Sequence, residues 1–438
     1  MGPGDAVMRI AEFMLACFAT AAAAAGAGQA TGVPASDPAW DAVFTRTSGW
    51  TAGDIGNSVA LPPSPGFARG RTLWLFGDSF VGDVQDGAHA PGSAFVRNAA
   101  GWHENPGTPG SAPDEIHFLL GPADGTRLAT SWLDPARDAG CAEADSWFWP
   151  MGDGVVVPTA PGAHAGGHSE PADGDAGLVT GRTRDRLVLF VTRFGPSGNP
   201  EGMWNFRRVG GMLAIIDNWR DDPGAWRMRF VENPLVTPEP RHGAPARSGV
   251  NWGAAAILEA RAGVGDAEPR LFVFGVEQNA DGEKRLVLAR VPAARVEDFA
   301  LWEFLGPSGW GRGGTDLAPL CAPVPDEFSI ERVGVDGAVR LVMIHSEAPL
   351  GRRMMARAAP RPEGPWSDAA PLLEVPRVGQ DPRLLTYAHK AHGALSAPGE
   401  LLVSYVINST DFGQVVGDAT LYRPRFLRVR LGEIPRQP

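Results

Sequence analysis

The residues with chemistry to offer fall at the ends of short apolar runs. Ahead of, or at the start of, the first run in successive units stand Asp54, Asp153, Asn251 with Trp252, Glu327 with Ser329, and Lys390 with His392. After the second run stand Asp78, Arg193, Glu277, His345 with Glu347, and Asn408. Acidic groups thus come from the first, second, third and fourth units, with cations and histidines among them. Cleavage of a glycosidic bond needs such a set: one carboxylic acid to protonate the leaving oxygen, and one carboxylate as base or nucleophile. Neighbouring charges can hold the two pKa values apart.

Asp54 and Asp78 are the candidate catalytic pair. Asp153, Trp149, Arg193, Asn251, Trp252, Glu277, Glu327, His345, Lys390, His392 and Asn408 are candidates for holding substrate. Each has a plainer alternative. Gly53-Asp54-Ile55-Gly56, Phe76-Gly77-Asp78-Ser79 and Gly152-Asp153-Gly154 could each be an ordinary aspartate turn. His345, His389 and His392 could be hydrogen-bonded core histidines. Of the 14 tryptophans most should pack between sheets, and Trp149 and Trp252 are the two whose positions suit a pocket wall.

The elements that must position these residues are paired strands. Short apolar segments recur as hairpins: residues 58–61 with 72–76, 154–157 with 186–191, 252–257 with 270–274, 328–333 with 339–344, and 391–395 with 400–405. Further strand-like runs follow each pair, which fits an all-β, five-bladed β-propeller of four-stranded blades. A β-sandwich is the alternative. In a propeller the first strand of a blade lines the channel and the second runs back. Asp54, Asp78, Asp153, Trp252, Glu327 and Lys390 should therefore share one axial mouth. Residues 42–47 are expected to close the ring as an outer strand of the last blade, and no helix after Ala30 should exceed about three turns.

Composition narrows the partners. Of 438 residues, 56 are glycine and 40 proline, scattered between apolar runs as tight turns would scatter them. The formal charge is −11 and the basic residues form no stripe, which argues against nucleic acid and anionic membrane surfaces. Arg9 followed by an alanine-rich apolar stretch predicts a signal peptide over 1–30, with one domain over 31–438, secreted or periplasmic. The stretch is short for a membrane span. Met14-Leu15-Ala16-Cys17 is a poor match to a lipoprotein signal. Cys141 and Cys321 would remain, with no spacing that dictates pairing and no metal-ligand pattern. No cofactor is implied; a central Ca²⁺ stays open, with no acidic loop of calcium-ligand spacing to indicate it.

Several motifs together resemble the five-bladed propeller glycoside hydrolases of a bacterial family long described as domain of unknown function 4185, some members of which are endo-D-arabinanases. These are Trp50-Thr51-Ala52-Gly53-Asp54, Arg71-Thr72-Leu73-Trp74-Leu75-Phe76-Gly77-Asp78-Ser79, Phe148-Trp149-Pro150, Gly364-Pro365-Trp366-Ser367, Tyr387-Ala388-His389-Lys390-Ala391-His392 and Ser404-Tyr405-Val406-Ile407-Asn408. The resemblance implies Asp54 and Asp78 as the catalytic pair and an arabinofuranose-containing polysaccharide as substrate. This chain departs from the pattern at 62–70 and at the Gly/His/Asp-rich stretch 164–175, where rim loops would set which sugars fit. Two other readings use the same pocket. A lectin-like propeller would bind carbohydrate and tolerate loss of either aspartate. A propeller hydrolase of another glycoside, such as a sialidase, would need an arginine cluster for a substrate carboxylate, and only Arg193 is well placed.

Overall fold

The computed structural model describes residues 34–434, apart from 124–127, 140–144, 160–184, 200–204, 260–267, 336–337 and 348–349. The expected signal peptide, Cys17, Cys141 and the stretch 164–175 lie outside the described residues.

The chain folds into antiparallel sheets that follow one another in sequence. The first contains Asn57–Leu61, Arg71–Phe76, Ala99–Glu104 and His117–Leu119 in that order. In the second, the long strand Asp185–Gly195 pairs along its length with both Gly154–Pro158 and Trp147–Trp149, then with Arg207–Ile216 and Met228–Glu232. The third runs Gly249–Glu259, Arg270–Gln278, Lys284–Pro292, Glu303–Gly306 and Gly309–Gly311. The fourth runs Phe328–Val335, Ala338–Ser346, Arg353–Ala359 and Ala370–Glu374. The fifth is built from Leu384–Ala391, Glu400–Ser409, Arg425–Arg430 and, from the other end of the chain, Ala35–Ser36.

Central strands such as Arg71–Phe76 are buried at every position, because both faces of each sheet are covered by neighbouring sheets. One apolar cluster joins Leu73 and Leu75 to Leu187 and Leu189, and others bridge the second sheet to the third, the third to the fourth, and the fourth to the fifth. A last cluster returns from the fifth sheet to the first, with Leu402 and Phe426 against Trp74 and Phe76. The first strands of the five sheets are neighbours in the same succession, from Asn57–Leu61 through Gly154–Pro158, Gly249–Glu259 and Phe328–Val335 to Leu384–Ala391. The architecture is all-β and propeller-like. The longest described helix, Pro38–Phe44, has 7 residues.

The N-terminal pairing differs from expectation. Ala35 and Ser36 pair with Arg428 and Leu427, whereas residues 42–47 finish a short helix and the turn after it. The reason lies in spacing: Trp40 and Phe44, four residues apart, share one helix face and bury it against Trp74 and Phe426. Asp37 caps that helix by accepting from the Trp40 amide at 3.2 Å, and Pro38 supplies a preset φ in its first turn.

The first four hairpins form with the expected residues. The fifth is shifted toward the N-terminus: its inner strand is Leu384–Ala391, and Gly393–Leu395 is a 3-10 turn. Within that strand the register breaks between Tyr387 and Lys390, where Ala388 takes a φ of 53°. Tyr387 therefore occupies the mouth end of the inner strand, and Lys390 and His392 sit deeper.

An additional sheet, not foreseen, grows out of the first hairpin. Ser48–Gly53 and Ser79–Gln85 pair directly, with Ala94–Val96 and Ala88–His89 completing it. The two strands of the first hairpin thus run on past their own sheet into this accessory one.

Candidate active site

Asp54 and Asp78 stand where the first sheet hands over to the accessory sheet. The Asp54 amide donates to the Asp78 carbonyl at 3.3 Å, and the Gly77 amide donates to the Asp54 carbonyl at 3.2 Å. Ile55, next to Asp54, has a φ of 67°. Such a conformation costs a branched residue on the order of 1–3 kcal/mol and persists only where the surroundings enforce it. Tyr422 (φ 60°) and Ala388 are the other non-glycine residues with positive φ near this point.

The carboxylate of Asp54 is held by two phenols. Its Oδ2 accepts from Tyr387 Oη at 2.8 Å and from Tyr422 Oη at 2.9 Å, while Oδ1 is buried without a protein partner. Burial pushes its pKa well above the carboxylate range; the charges of Asp78 and Glu327 add to that, and the two tyrosine hydrogen bonds oppose it. Asn408 fixes Tyr387 in turn, donating from Nδ2 to Oη at 2.9 Å.

Asp78 has different company. Trp149 Nε1 donates to its Oδ1 at 3.0 Å and Arg97 Nη1 to its Oδ2 at 3.4 Å. Burial raises its pKa to about 6, against the pull of Arg97 and Trp149. Trp149 belongs to an aromatic wall, with Phe194 at 4.6 Å, Phe206 at 4.8 Å and Trp147 at 5.7 Å between ring centres. Arg97 covers Trp147 at 4.5 Å.

Below this pair lies a column of buried charge. Glu327, half-buried, is raised by desolvation, and the Lys390 ammonium counteracts it. Lys390 is fully buried; its Nζ donates to the Phe328 carbonyl at 3.0 Å and feels both Glu327 and Asp153. Asp153 accepts from the Gly154 amide at 2.7 Å and the Ala256 amide at 2.9 Å, and burial brings its pKa to about 6. Glu331 follows, pushed to about 8 by burial and by Asp153. Asp153 and Glu331 line a cavity of about 260 Å³ whose walls are first strands of the sheets.

Among the residues expected at the mouth, the structure thus brings together Asp54, Asp78, Trp149, Glu327 and Asn408, with Lys390 and Asp153 beneath. The others go elsewhere. Trp252 is no pocket wall: it is buried against Phe304 at 5.5 Å and Trp302 at 6.4 Å, because the register shift after it turns its ring into the core. Glu277 forms an ion pair with Arg285 at 2.8 Å across its own hairpin. Asn251 is buried and pairs with Thr192 Oγ1 at 3.4 Å. Arg193 sits between Phe148 and Gly210 within the second sheet.

The histidines are structural. His345 Nδ1 donates to the Ser346 carbonyl at 2.8 Å, and burial lowers the ring to about 4. His392 bridges Ser58 at 2.7 Å and Ser404 at 2.9 Å, and burial takes it to about 3. Sequence reasoning missed Tyr422, Arg97, Glu331 and the role of Tyr387. A usable signal existed for the phenols: the chain has only 3 tyrosines, and two of them contact Asp54.

Among the described residues no group of three or more His, Cys, Asp or Glu side chains is placed to hold a metal ion. Nor is any helix there long and apolar enough to cross a membrane. Cys321 is a free thiol, half-buried, with its pKa raised to about 11 by desolvation.

Sheets arranged in this way around a cluster of buried carboxylates define an all-β, propeller-like protein. The chain belongs to the family described as domain of unknown function 5005 (DUF5005), whose model matches residues 37–431. The model that matches is thus 5005 and not the 4185 to which the motifs are similar. No curated protein sequence matches the chain. Among solved structures, a Bacteroides ovatus protein provisionally assigned as a hydrolase superposes with a TM-score of 0.61 at 19% identity, over 90% of this chain and 89% of that one. The two share a fold. An exo-β-1,3-galactanase from Phanerochaete chrysosporium has a TM-score of 0.39 at 9% identity, over 93% of this chain and 66% of that one. A family-43 β-1,3-galactosidase has a TM-score of 0.41 at 10% identity, over 89% and 94%.

Proposed function

We propose that this chain is a glycoside hydrolase built on a five-bladed β-propeller, with Asp54 and Asp78 as its carboxylate pair. The observation that carries the reading is the unequal setting of two adjacent aspartates. Asp54, desolvated and faced by the charges of Asp78 and Glu327, is pushed strongly toward its protonated form. Asp78, beside Arg97 and Trp149 and titrating near 6, gives its proton up. Two carboxyl groups whose surroundings separate their pKa values in this way divide into acid and base. Asp54 then protonates the leaving glycosidic oxygen as the bond to the anomeric carbon breaks. Asp78 acts as base toward water or as nucleophile at that carbon. The charge of Glu327 pushes Asp54 toward its protonated form, and Lys390 opposes the desolvation that raises Glu327 itself.

The finer proposal, arabinofuranose-containing polysaccharide as substrate, is supported by the motif resemblance around Asp54, Asp78 and Tyr387. Export to the outside of the cell, suggested by residues 1–30, fits a polymeric substrate. The test is hydrolysis of arabinan, arabinogalactan and aryl furanosides by the purified protein and by Asp54→Asn and Asp78→Asn. Each variant should lose about a hundredfold or more in turnover, the scale of a general acid or base, with its melting temperature nearly intact. Near-normal turnover in either variant removes that aspartate from the mechanism. A wild type that binds but cleaves no glycoside leaves the carbohydrate-binding reading.

A further inference from the structure

The structure presents an aromatic surface that the carboxylate pair does not use. Phe412 is 55% exposed and Phe95 36%, with ring centres 5.2 Å apart in a T-shaped pair, although they are separated by most of the chain. Both rest on buried Phe80, which lies 4.7 Å from Phe95 and 5.9 Å from Phe412. The patch is continuous with the site in two ways. Tyr422, whose hydroxyl holds Asp54, lies 6.2 Å from Phe95. Phe95 is also two residues before Arg97, which lies just past the end of the strand Ala94–Val96 and reaches Asp78.

Two exposed rings are too little apolar surface for a protein partner, which would need several hundred Å² or more. They are of the right size for one sugar ring, whose C–H face packs on an aromatic plane while its hydroxyls stay in water. The rim is suitably polar: Arg383 bonds Asp411 at 3.3 Å, and Gln414 bonds Asp381 at 3.0 Å beside Phe412. A second aromatic wall stands at Asp78, made by Trp149, which donates to its carboxylate, and Trp147, which Arg97 covers.

We propose that Phe95 and Phe412 form a sugar-stacking platform on the accessory sheet, a subsite for a glycan chain that runs across the carboxylate pair from the Trp147–Trp149 wall. The inference rests on the glycoside hydrolase reading for its position and names the substrate as an oligomer or polymer that extends beyond the bond being cut.

Binding and cleavage are measured separately. Affinity electrophoresis in gels containing arabinan or arabinogalactan reads binding; initial rates on the same polymers and on a short aryl furanoside read catalysis. Phe412→Ala and Phe95→Ala should weaken retardation and raise KM for the retarding polymer about three- to tenfold, the scale of one aromatic contact, with kcat and the aryl furanoside rate unchanged. Phe412→Trp should restore both. Folded alanine variants with wild-type retardation and KM overturn the platform while leaving the hydrolase intact. A wild type that is retarded but cleaves nothing sinks the hydrolase, and the platform then stands or falls on retardation alone. No retardation of the wild type by any polymer tested, with unchanged rates in the variants, also overturns it.

Discussion

The main-chain amide of Asp54 donates to the carbonyl of Asp78 at 3.3 Å, so two residues from opposite strands of one hairpin are locked by backbone rather than by side chains. Their carboxyl groups are therefore held by the first and accessory sheets, the rigid part of the fold. Catalytic groups tolerate displacements of only about half an ångström, and a sheet junction meets that demand better than a loop.

Gly77 belongs to the same lock. A methyl group there would overlap Asp54 Oδ1 and come within 2.7 Å of Ile55 Cδ1. Gly77→Ala should therefore displace the Asp54 carboxyl and cost about tenfold to a hundredfold in turnover, with a stability loss of about 1–3 kcal/mol, typical of overpacking. Rates on the best substrate together with urea denaturation check this.

The phenols on Asp54 should be visible in the pH profile. Their hydrogen bonds favour the charged carboxylate, so removing one raises the Asp54 pKa further. In Tyr422→Phe or Tyr387→Phe the alkaline limb of activity should move upward. The acid limb, set by Asp78 near pH 6, should move little. An alkaline limb that moves down, or an acid limb that shifts instead, would reverse the acid and base roles.

Stability should also depend on pH through Asp153. Its folded value of about 6 lies above the ordinary 3.8, so between these values the folded protein holds a proton that the unfolded chain releases. The contribution is fully present below about 3.8 and is lost as pH rises through 6. The fall in melting temperature between pH 4 and pH 7 should be smaller for Asp153→Asn than for the wild type. Equal falls in both would show that Asp153 titrates normally.

The fastening of the N-terminal segment can be tested at Trp40, which is fully buried and donates from Nε1 to the Gly110 carbonyl at 3.3 Å. Trp40→Ala should destabilise the protein by about 3–5 kcal/mol, as for other large-to-alanine changes in cores. Equilibrium denaturation reads the value directly; a loss below 1 kcal/mol would mean that the helix at 38–44 does not fasten the N-terminus to the fifth sheet.

The hairpins were legible because each lives in one contiguous stretch. Strands that pair with their immediate sequence neighbours carry their own evidence, apolar runs bounded by turns, and the first four hairpins formed where that pattern put them. The fifth slipped because a break in register at Ala388 leaves no trace in hydrophobicity. The helix at 38–44 escaped because two buried aromatics four residues apart are too few to establish a helical period.

By itself, the sequence determined that this protein is all-β, built of successive hairpins, and that Asp54 and Asp78 bracket the first of them. Local pairing is enough for that, since the two strands of a hairpin bring their ends together whatever surrounds them. Only the tertiary structure decided which other groups share their environment. Tyr387 and Tyr422 meet Asp54 across more than 300 residues of intervening chain, Glu327 and Lys390 arrive from the fourth and fifth sheets, and Trp252 turns away into the core. A pKa depends on desolvation and on charges brought close through space, and neither is encoded in the spacing of residues along the chain.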